Sequence, residues 1–240
     1  MVLTAPGTWL RRISHWVMVS LAGLIVLVII SIILLRWVDP PISSVMIRHS
    51  IQATIHNTEK PVWQWTDWET ISPQLPLAII AAEDQRFPDH HGIDFTELKS
   101  ALGQSKSKRR GASTLTQQTA KNLYLWHGRS YIRKGLEAGI ALTMDLFLSK
   151  QRILEIYMNI AQFGPHHYGV FEASQRAFNS SPDRVNRHQA AALAAVLPNP
   201  NHYSATKPTK YLKSRQKWIL RQMRQLGGKT FLKKLSIDEA

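Results

Sequence analysis

Glu83 stands at the end of an apolar run, Leu77-Ala78-Ile79-Ile80-Ala81-Ala82. A carboxylate delivered there loses part of its hydration, so its pKa rises and it becomes suited to proton transfer. Taken alone, an acid in that position is explained as well by a salt bridge. A second segment, Gly111-Ala112-Ser113-Thr114-Leu115-Thr116-Gln117-Gln118-Thr119-Ala120-Lys121-Asn122, is too polar for core packing and too patterned for a linker. Ser113 is placed to cap a helix that carries Gln117, Gln118 and Lys121 on neighbouring turns. A helix N-terminus beside a lysine suits a phosphate or another anion. A third group, Arg133, Lys134 and Glu137, adds two cations and an acid. By itself it is weak, because Arg133 and Glu137 at a spacing of four make an ordinary surface ion pair.

The elements that must hold these residues are helical. The run from Leu77 ends at Glu83. Asp94, with Glu97 three residues later, opens a helix to about Leu102. Residues 103–112 form a basic loop rich in Gly, Ser, Lys and Arg. A long helical stretch runs from about Tyr131 to Phe163, broken near Ser149, a good N-cap. Asn186 with Gln189 opens an alanine-rich helix that stops before Pro198, and Lys210 to Gln225 is a basic amphipathic helix with solvation as its default role. Residues 39–76 hold five prolines and the alternation Val62-Trp63-Gln64-Trp65, which reads as a juxtamembrane linker with short extended pieces. Trp63, Trp65 and Trp68 read as packing residues. There is no internal repeat and no parallel-sheet alternation, so the fold class is all-α.

The chain has 240 residues, no cysteine and a formal net charge of +14. Disulfides and thiolate metal sites are thereby excluded. Ile13 to Leu35 contains no Asp, Glu, Lys or Arg. At ~1.5 Å per residue such a helix spans a hydrocarbon core of ~30 Å. Arg11 and Arg12 precede it and Trp16 and Trp37 sit near its ends, which favours an uncleaved anchor with its N-terminus in the cytoplasm. No small-residue cleavage site ends the run, unlike a signal peptide. The remaining residues then face the outside, where nucleic acid is an improbable partner and anionic lipid and pyrophosphate are better ones for the positive charge.

Three patterns carry no chemistry. His90-His91 lacks a His-Glu-x-x-His context, so zinc is not indicated, and His90 reads as holding its loop in place. Ser-x-x-Lys occurs at Ser105, Ser204 and Ser214 without Lys-Thr-Gly or Ser-Asp-Asn. Gly228-Lys229-Thr230 mimics a phosphate loop, but Met223 stands where its first glycine belongs.

Taken together, the spacings resemble those of the peptidoglycan glycosyltransferases, the relatives of the polymerase domain of class A penicillin-binding proteins. Glu83, Asp84, Phe87, His90 and Gly92 match the family's Glu-Asp-x-x-Phe-x-x-His-x-Gly motif. Gly111, Ser113, Thr114, Thr116, Gln117, Gln118, Lys121 and Asn122 match its second motif. Arg133-Lys134-x-x-Glu137 matches the third, and Ser149-Lys150 through Asn159 the fourth, with Met158 where the family has Leu. The similarity covers roughly 61–204. It implies a lysozyme-like, two-lobed helical domain preceded by one transmembrane helix. The expected divisions are a cytoplasmic tail 1–12, a membrane helix 13–35, a linker 36–60, a glycosyltransferase domain 61–204 and a basic helical extension 205–240.

The resemblance further implies a monofunctional polymerase, single-pass in the bacterial cytoplasmic (inner) membrane, that elongates glycan from lipid II. Glu83 is the implied general base, and Glu137 supports the donor site. Lys121, Arg133 and Lys134, with Ser113, Thr114, Gln117, Gln118 and Asn122, bind substrate and pyrophosphate. Asp84, Phe87, His90 and Gly92 support the first motif. No cofactor is required; a divalent cation such as Mg or Mn is left open, with Glu137 as its holder. Implied partners are lipid II and the growing lipid-linked glycan, membrane lipids, and cell-wall synthesis or division proteins. The competing readings are a lysozyme-like hydrolase or lytic transglycosylase, and a non-catalytic scaffold that binds lipid II.

Overall fold

The computed structural model describes residues 7–103, 113–126, 128 and 130–239. The first six residues, Gly111 of the polar segment, Ser105 and residues 104–112 of the expected basic loop lie outside the described residues. Ten α-helices occur among those described: α1 (Gly7–Leu34), α2 (Ser44–His56), α3 (Gln74–Glu83), α4 (Phe95–Gly103), α5 (Leu115–Tyr124), α6 (Tyr131–Phe147), α7 (Lys150–Ile160), α8 (Gly169–Phe178), α9 (Arg187–Val196) and α10 (Lys210–Gln225). A 3-10 segment, Gly228–Glu239, follows. Extended pairing among the described residues is limited to two isolated bridges, Val62 with His167 and Gln162 with Tyr168. The all-α expectation holds.

In α1, Arg11–Leu34 is long and apolar enough to cross a membrane. Most of it is exposed; only its end is built into the protein, where Ile32 and Leu35 are buried and the Ser31 hydroxyl lies 3.1 Å from the Tyr124 hydroxyl. The stretch that follows differs from the expected linker. Residues 44–56 form α2, capped by the Ser43 hydroxyl accepting from the Met46 N–H and ended by Asn57 at a left-handed φ of 51°. Met46 and Ala53, seven apart, bury one stripe. Both end signals are present in the sequence, but the flanking prolines mask so short and weakly apolar a helix. The expected extended piece is short: Val62 pairs with His167 in an isolated bridge, and Trp63 to Trp65 have no regular secondary structure.

The core is divided between two sets of helices. In one, α3 packs against α9 and α10. Seven of α3's ten residues are buried, and Ala190, Ala191, Ala194 and Ala195 of α9 allow close approach. In the other, α5 packs between α6 and α7, and α1 rests on α6. The expected break near Ser149 is real: its hydroxyl accepts from the Arg152 N–H and starts α7. Asn186 and Gln189 form the capping box of α9. The C-terminal stretch joins the same core, since Leu212, Ile219, Met223, Phe231 and Leu235 are all buried in it.

At the start of α8, Gly169 has a φ of +79°, and a Cβ there would sit 2.8 Å from the Asn159 carbonyl oxygen. Asn159 in turn clamps the extended segment by accepting from the Thr66 N–H at 2.8 Å and donating to its carbonyl at 3.0 Å. Gly169→Ala therefore combines left-handed strain, about 1–3 kcal/mol, with a backbone clash. The expected outcome is a melting temperature lower by roughly 2–4 °C for each kcal/mol lost, measured by calorimetry; an unchanged melting temperature would contradict the geometry.

Candidate active site

Glu83 is the last residue of α3 and lies where the two sets of helices meet. One carboxylate oxygen accepts from Gln118 Nε2 of α5 at 3.2 Å, and the other accepts from the Arg215 guanidinium of α10 at 3.1 Å. Gln118 is fixed in turn, because the Tyr157 hydroxyl of α7 donates to its Oε1 at 3.2 Å. Burial raises the Glu83 pKa above the ordinary carboxylate range; Gln118 and Arg215 pull it down, and the charge of Asp84 pushes it up. The desolvation expected from the apolar run is therefore present. Arg215 was missed by sequence reading. Its signal is phase: Leu212, Arg215 and Ile219 are spaced three and four apart, so a cation stands beside the buried stripe of a helix whose outer face is basic.

Asp84, one residue on, has a different fate. Both of its oxygens lie within 3.1 Å of His90 Nε2, and one also accepts from the Leu115 N–H at 2.9 Å. It thus ties the chain after α3 to the first turn of α5. Phe87 is fully buried, and Lys150 lies over its ring while donating to the His90 carbonyl and pairing with Asp145. Gly92 has a φ of +70°, and a Cβ there would come within 2.8 Å of the Ala141 carbonyl of α6. Its own carbonyl accepts from the Thr114 hydroxyl at 2.6 Å. The four supporting residues of the first motif form one braced turn under the N-terminus of α5.

That helix begins one residue later than expected. Thr114, rather than Ser113, is the N-cap: its hydroxyl accepts from the Gln117 N–H, and the Gln117 side chain accepts from the Thr114 N–H, each at 3.1 Å. A Ser and a Thr in succession leave the choice to tertiary contacts, and the bond from Thr114 to Gly92 decides it. Ser113 is freed to accept from Lys134 Nζ at 2.9 Å. Gln117 is buried in the capping box, so it shapes the site rather than facing it. Asn122 accepts at its backbone carbonyl from the Ser44 hydroxyl of α2 at 3.0 Å.

Lys121 and the Arg133-Lys134-Glu137 group converge from α5 and α6. Arg133 donates to one oxygen of Glu137 at 2.9 Å and Lys134 to the other. Glu137 is buried, so the weak surface-pair explanation fails here. Burial lowers the Lys121 pKa, Glu137 raises it, Arg133 and Lys134 lower it, and Glu83 raises it. Three cations thus surround one acid, and one of them, Lys121, lies within electrostatic reach of Glu83. Arg133 Nε is buried with no hydrogen-bond partner among the described residues, which leaves a donor unsatisfied in the cluster. Both Glu137 oxygens are engaged by cations, and the described residues contain no group of three His, Cys, Asp or Glu that could hold a metal. This donor set does not fit a divalent cation, because hard cations take several oxygens free of competing positive charge.

The family model described as transglycosylase matches residues 49–224. The chain is 47% identical over 227 residues to a biosynthetic peptidoglycan transglycosylase of Cronobacter sakazakii, covering 93% of each chain. It is 48% identical over 233 residues to one of Salmonella arizonae, covering 95% of each. A relative of the same description in Citrobacter koseri is 50% identical over 206 residues, covering 84% of this chain and 85% of that one. The match extends through most of α10 and so includes Arg215.

Arg215 opposes the effect of burial on Glu83 by charge and by hydrogen bonding. Arg215→Met removes both and leaves desolvation less opposed, so the Glu83 carboxyl should titrate at higher pH than in wild type. Carbon-13 NMR titration of labelled glutamate, assigned with Glu83→Gln, measures the shift; a downward shift would show that Arg215 is not the opposing charge.

Proposed function

Because the chain belongs to the transglycosylase family, we propose that it polymerises peptidoglycan glycan from lipid II, with Glu83 as the general base. The observation that carries this reading is a desolvated carboxylate, Glu83, in electrostatic contact with Lys121, which stands in a cluster with Arg133, Lys134 and Glu137. A sugar hydroxyl is a poor nucleophile until its proton is taken during attack. Glu83 takes the proton of the 4-hydroxyl of the acceptor's N-acetylglucosamine. The new bond joins that oxygen to the anomeric carbon of the donor's N-acetylmuramic acid, and the bond from that carbon to the lipid pyrophosphate breaks. Attack opposite the leaving group turns an α-linked donor into a β-1,4 glycan.

Pyrophosphate leaves without a protein acid but needs its growing negative charge stabilised. Lys121, Arg133 and Lys134 supply that charge, held in place by Glu137 and Ser113. Gln118, fixed by Tyr157, orients the base. A lytic transglycosylase has no pyrophosphate to stabilise and so no use for the Lys121, Arg133 and Lys134 cluster, and a two-carboxyl hydrolase needs a second carboxyl to act with Glu83. Asp84 is consumed by His90 and Leu115, and Glu137 by two cations, so neither supplies it. The intact Glu83 site argues against a mere scaffold. Arg11 and Arg12 at the start of the apolar span support an N-terminus in the cytoplasm and a catalytic part outside the inner membrane. Lipid-linked substrates suit such an anchor.

Two outcomes test the assignments. Purified protein with labelled lipid II in detergent should produce long glycan that moenomycin blocks, and Glu83→Gln should produce none while keeping the wild-type fold by circular dichroism. Substantial turnover by Glu83→Gln would remove Glu83 as the base. The pH profile should be bell-shaped. Activity rises as pH climbs through the raised Glu83 pKa, because the base works deprotonated, and falls as Lys121, its pKa lowered by burial, loses its charge. Lys121→Ala should reduce turnover by about 10²-fold and remove the alkaline fall; a wild-type profile would place the pyrophosphate elsewhere.

A further inference from the structure

Arg152, which no motif reading singled out, makes more connections than the polymer chemistry requires. Its Nε donates to the Leu35 carbonyl, one residue beyond α1, at 2.7 Å. One terminal nitrogen donates to Asp39 and the other to Glu155, each at 2.7 Å, and the guanidinium stacks over the Trp65 ring at 5.4 Å. Glu155 accepts in addition from the Trp68 N–H at 2.8 Å. A single planar fork therefore joins the exit of α1, the chain leaving it, the extended segment and α7. Carbonyls at a helix end lack intrahelical partners, and a cationic side chain satisfies them with favourable dipole interaction. Here that cap comes from residue 152, on the opposite side of the connection.

The joint is backed by packing. Ile32 and Leu35 are buried in the same core as Ile153, Leu154 and Tyr157. Tyr157 is five residues after Arg152 on α7, ~7.5 Å along the axis, and its hydroxyl holds Gln118 against Glu83. A flexible tether would show none of these contacts. Arg, unlike Lys, can fill a carbonyl and two carboxylates at once from one rigid plane.

We propose that Arg152 is a positioning residue that makes α1 a rigid strut, fixing the height and tilt of the Glu83 cleft relative to the bilayer so that it meets the pyrophosphate of a membrane-held substrate. The proposal rests on the polymerase reading and on α1 crossing the membrane. The effect is confined to substrates whose position the bilayer dictates. A donor and acceptor free in water find the cleft whatever its tilt.

The full chain reconstituted in vesicles tests it, with Arg152→Gln and Asp39→Ala compared with wild type. Asp39 is half-exposed, so its replacement loosens the fork without threatening the core, and it keeps the test available if Arg152→Gln fails to fold. On long-chain lipid II embedded in the bilayer, Arg152→Gln should lose about tenfold in kcat/KM, equivalent to ~1.4 kcal/mol, and Asp39→Ala should lose less. On short-prenyl lipid II dissolved in water, both should stay within about twofold of wild type on the same scale. Equal losses on the two substrates, or no loss on either, overturn the proposal. Wild type inactive on both substrates would instead remove the polymerase reading beneath it. Because the chain has no cysteine, spin labels at Ser20→Cys and Ser214→Cys report the joint directly: a narrow distance distribution in wild type should broaden in Arg152→Gln. A distribution that stays narrow also overturns the proposal.

Discussion

The structure depends on keeping the Glu83 carboxylate partly out of water without silencing it. Full burial would hold it protonated and useless as a base, while full exposure would leave it too weak a base near neutral pH. The balance comes from three helices. α3 is apolar almost throughout and delivers the carboxylate, and α5 and α10 each contribute one donor that favours the charged form. The alanine-rich α9 earns its composition in this setting, since close packing beneath α3 fixes where Glu83 emerges. α10 reads in sequence as a basic surface helix, yet among the described residues its Arg215 is the cation that pairs with Glu83.

The donor side obeys a different constraint. Lys121, Arg133 and Lys134 repel one another, and such a cluster assembles only with a counter-charge. Glu137 provides it, buried between Arg133 and Lys134 with one oxygen for each. One acid among three cations orders the cluster and still leaves net positive charge. Burial lowers the Lys121 pKa by disfavouring its charged form, so an anion bound beside it would favour that form again. The same arithmetic accounts for the poor fit to a divalent cation: the carboxylate that would hold it is spent on assembling the site.

Much of this was legible in the sequence. The caps at Ser149 and Asn186 and the extent of α10 rest on local rules, namely apolar periodicity and capping, whereas Glu83 and the Arg133 group, ambiguous by themselves, stood out only through their resemblance to the family's motifs. The rest was decided across the chain. Thr114 displaces Ser113 as cap because of Gly92, more than twenty residues away. α2 was hidden because its stability comes from packing Met46 and Ala53 and from Ser44 bonding to the end of α5, rather than from its own pattern. Gln117, which matches a substrate-facing motif, spends its side chain on a capping box. Arg215 and Arg152 were passed over because, although phase places Arg215 beside the buried stripe of α10, nothing local to either cation says which distant carboxylate it meets.

Two adjacent acids, Glu83 and Asp84, show how the fold assigns roles that composition leaves open. Either residue type can abstract a proton. Asp84 accepts a backbone N–H from Leu115 and faces His90 with both oxygens, so both are engaged in holding the turn. Glu83 is more exposed, has one donor per oxygen, and lies at the junction of the two sets of helices. The longer side chain reaches the cleft while the shorter one stays behind to bind the turn. Under the proposed mechanism, exchanging them would place the base about one methylene short and put a longer carboxylate under α5. The two acids then form one device, in which Asp84 holds still the backbone that carries Glu83.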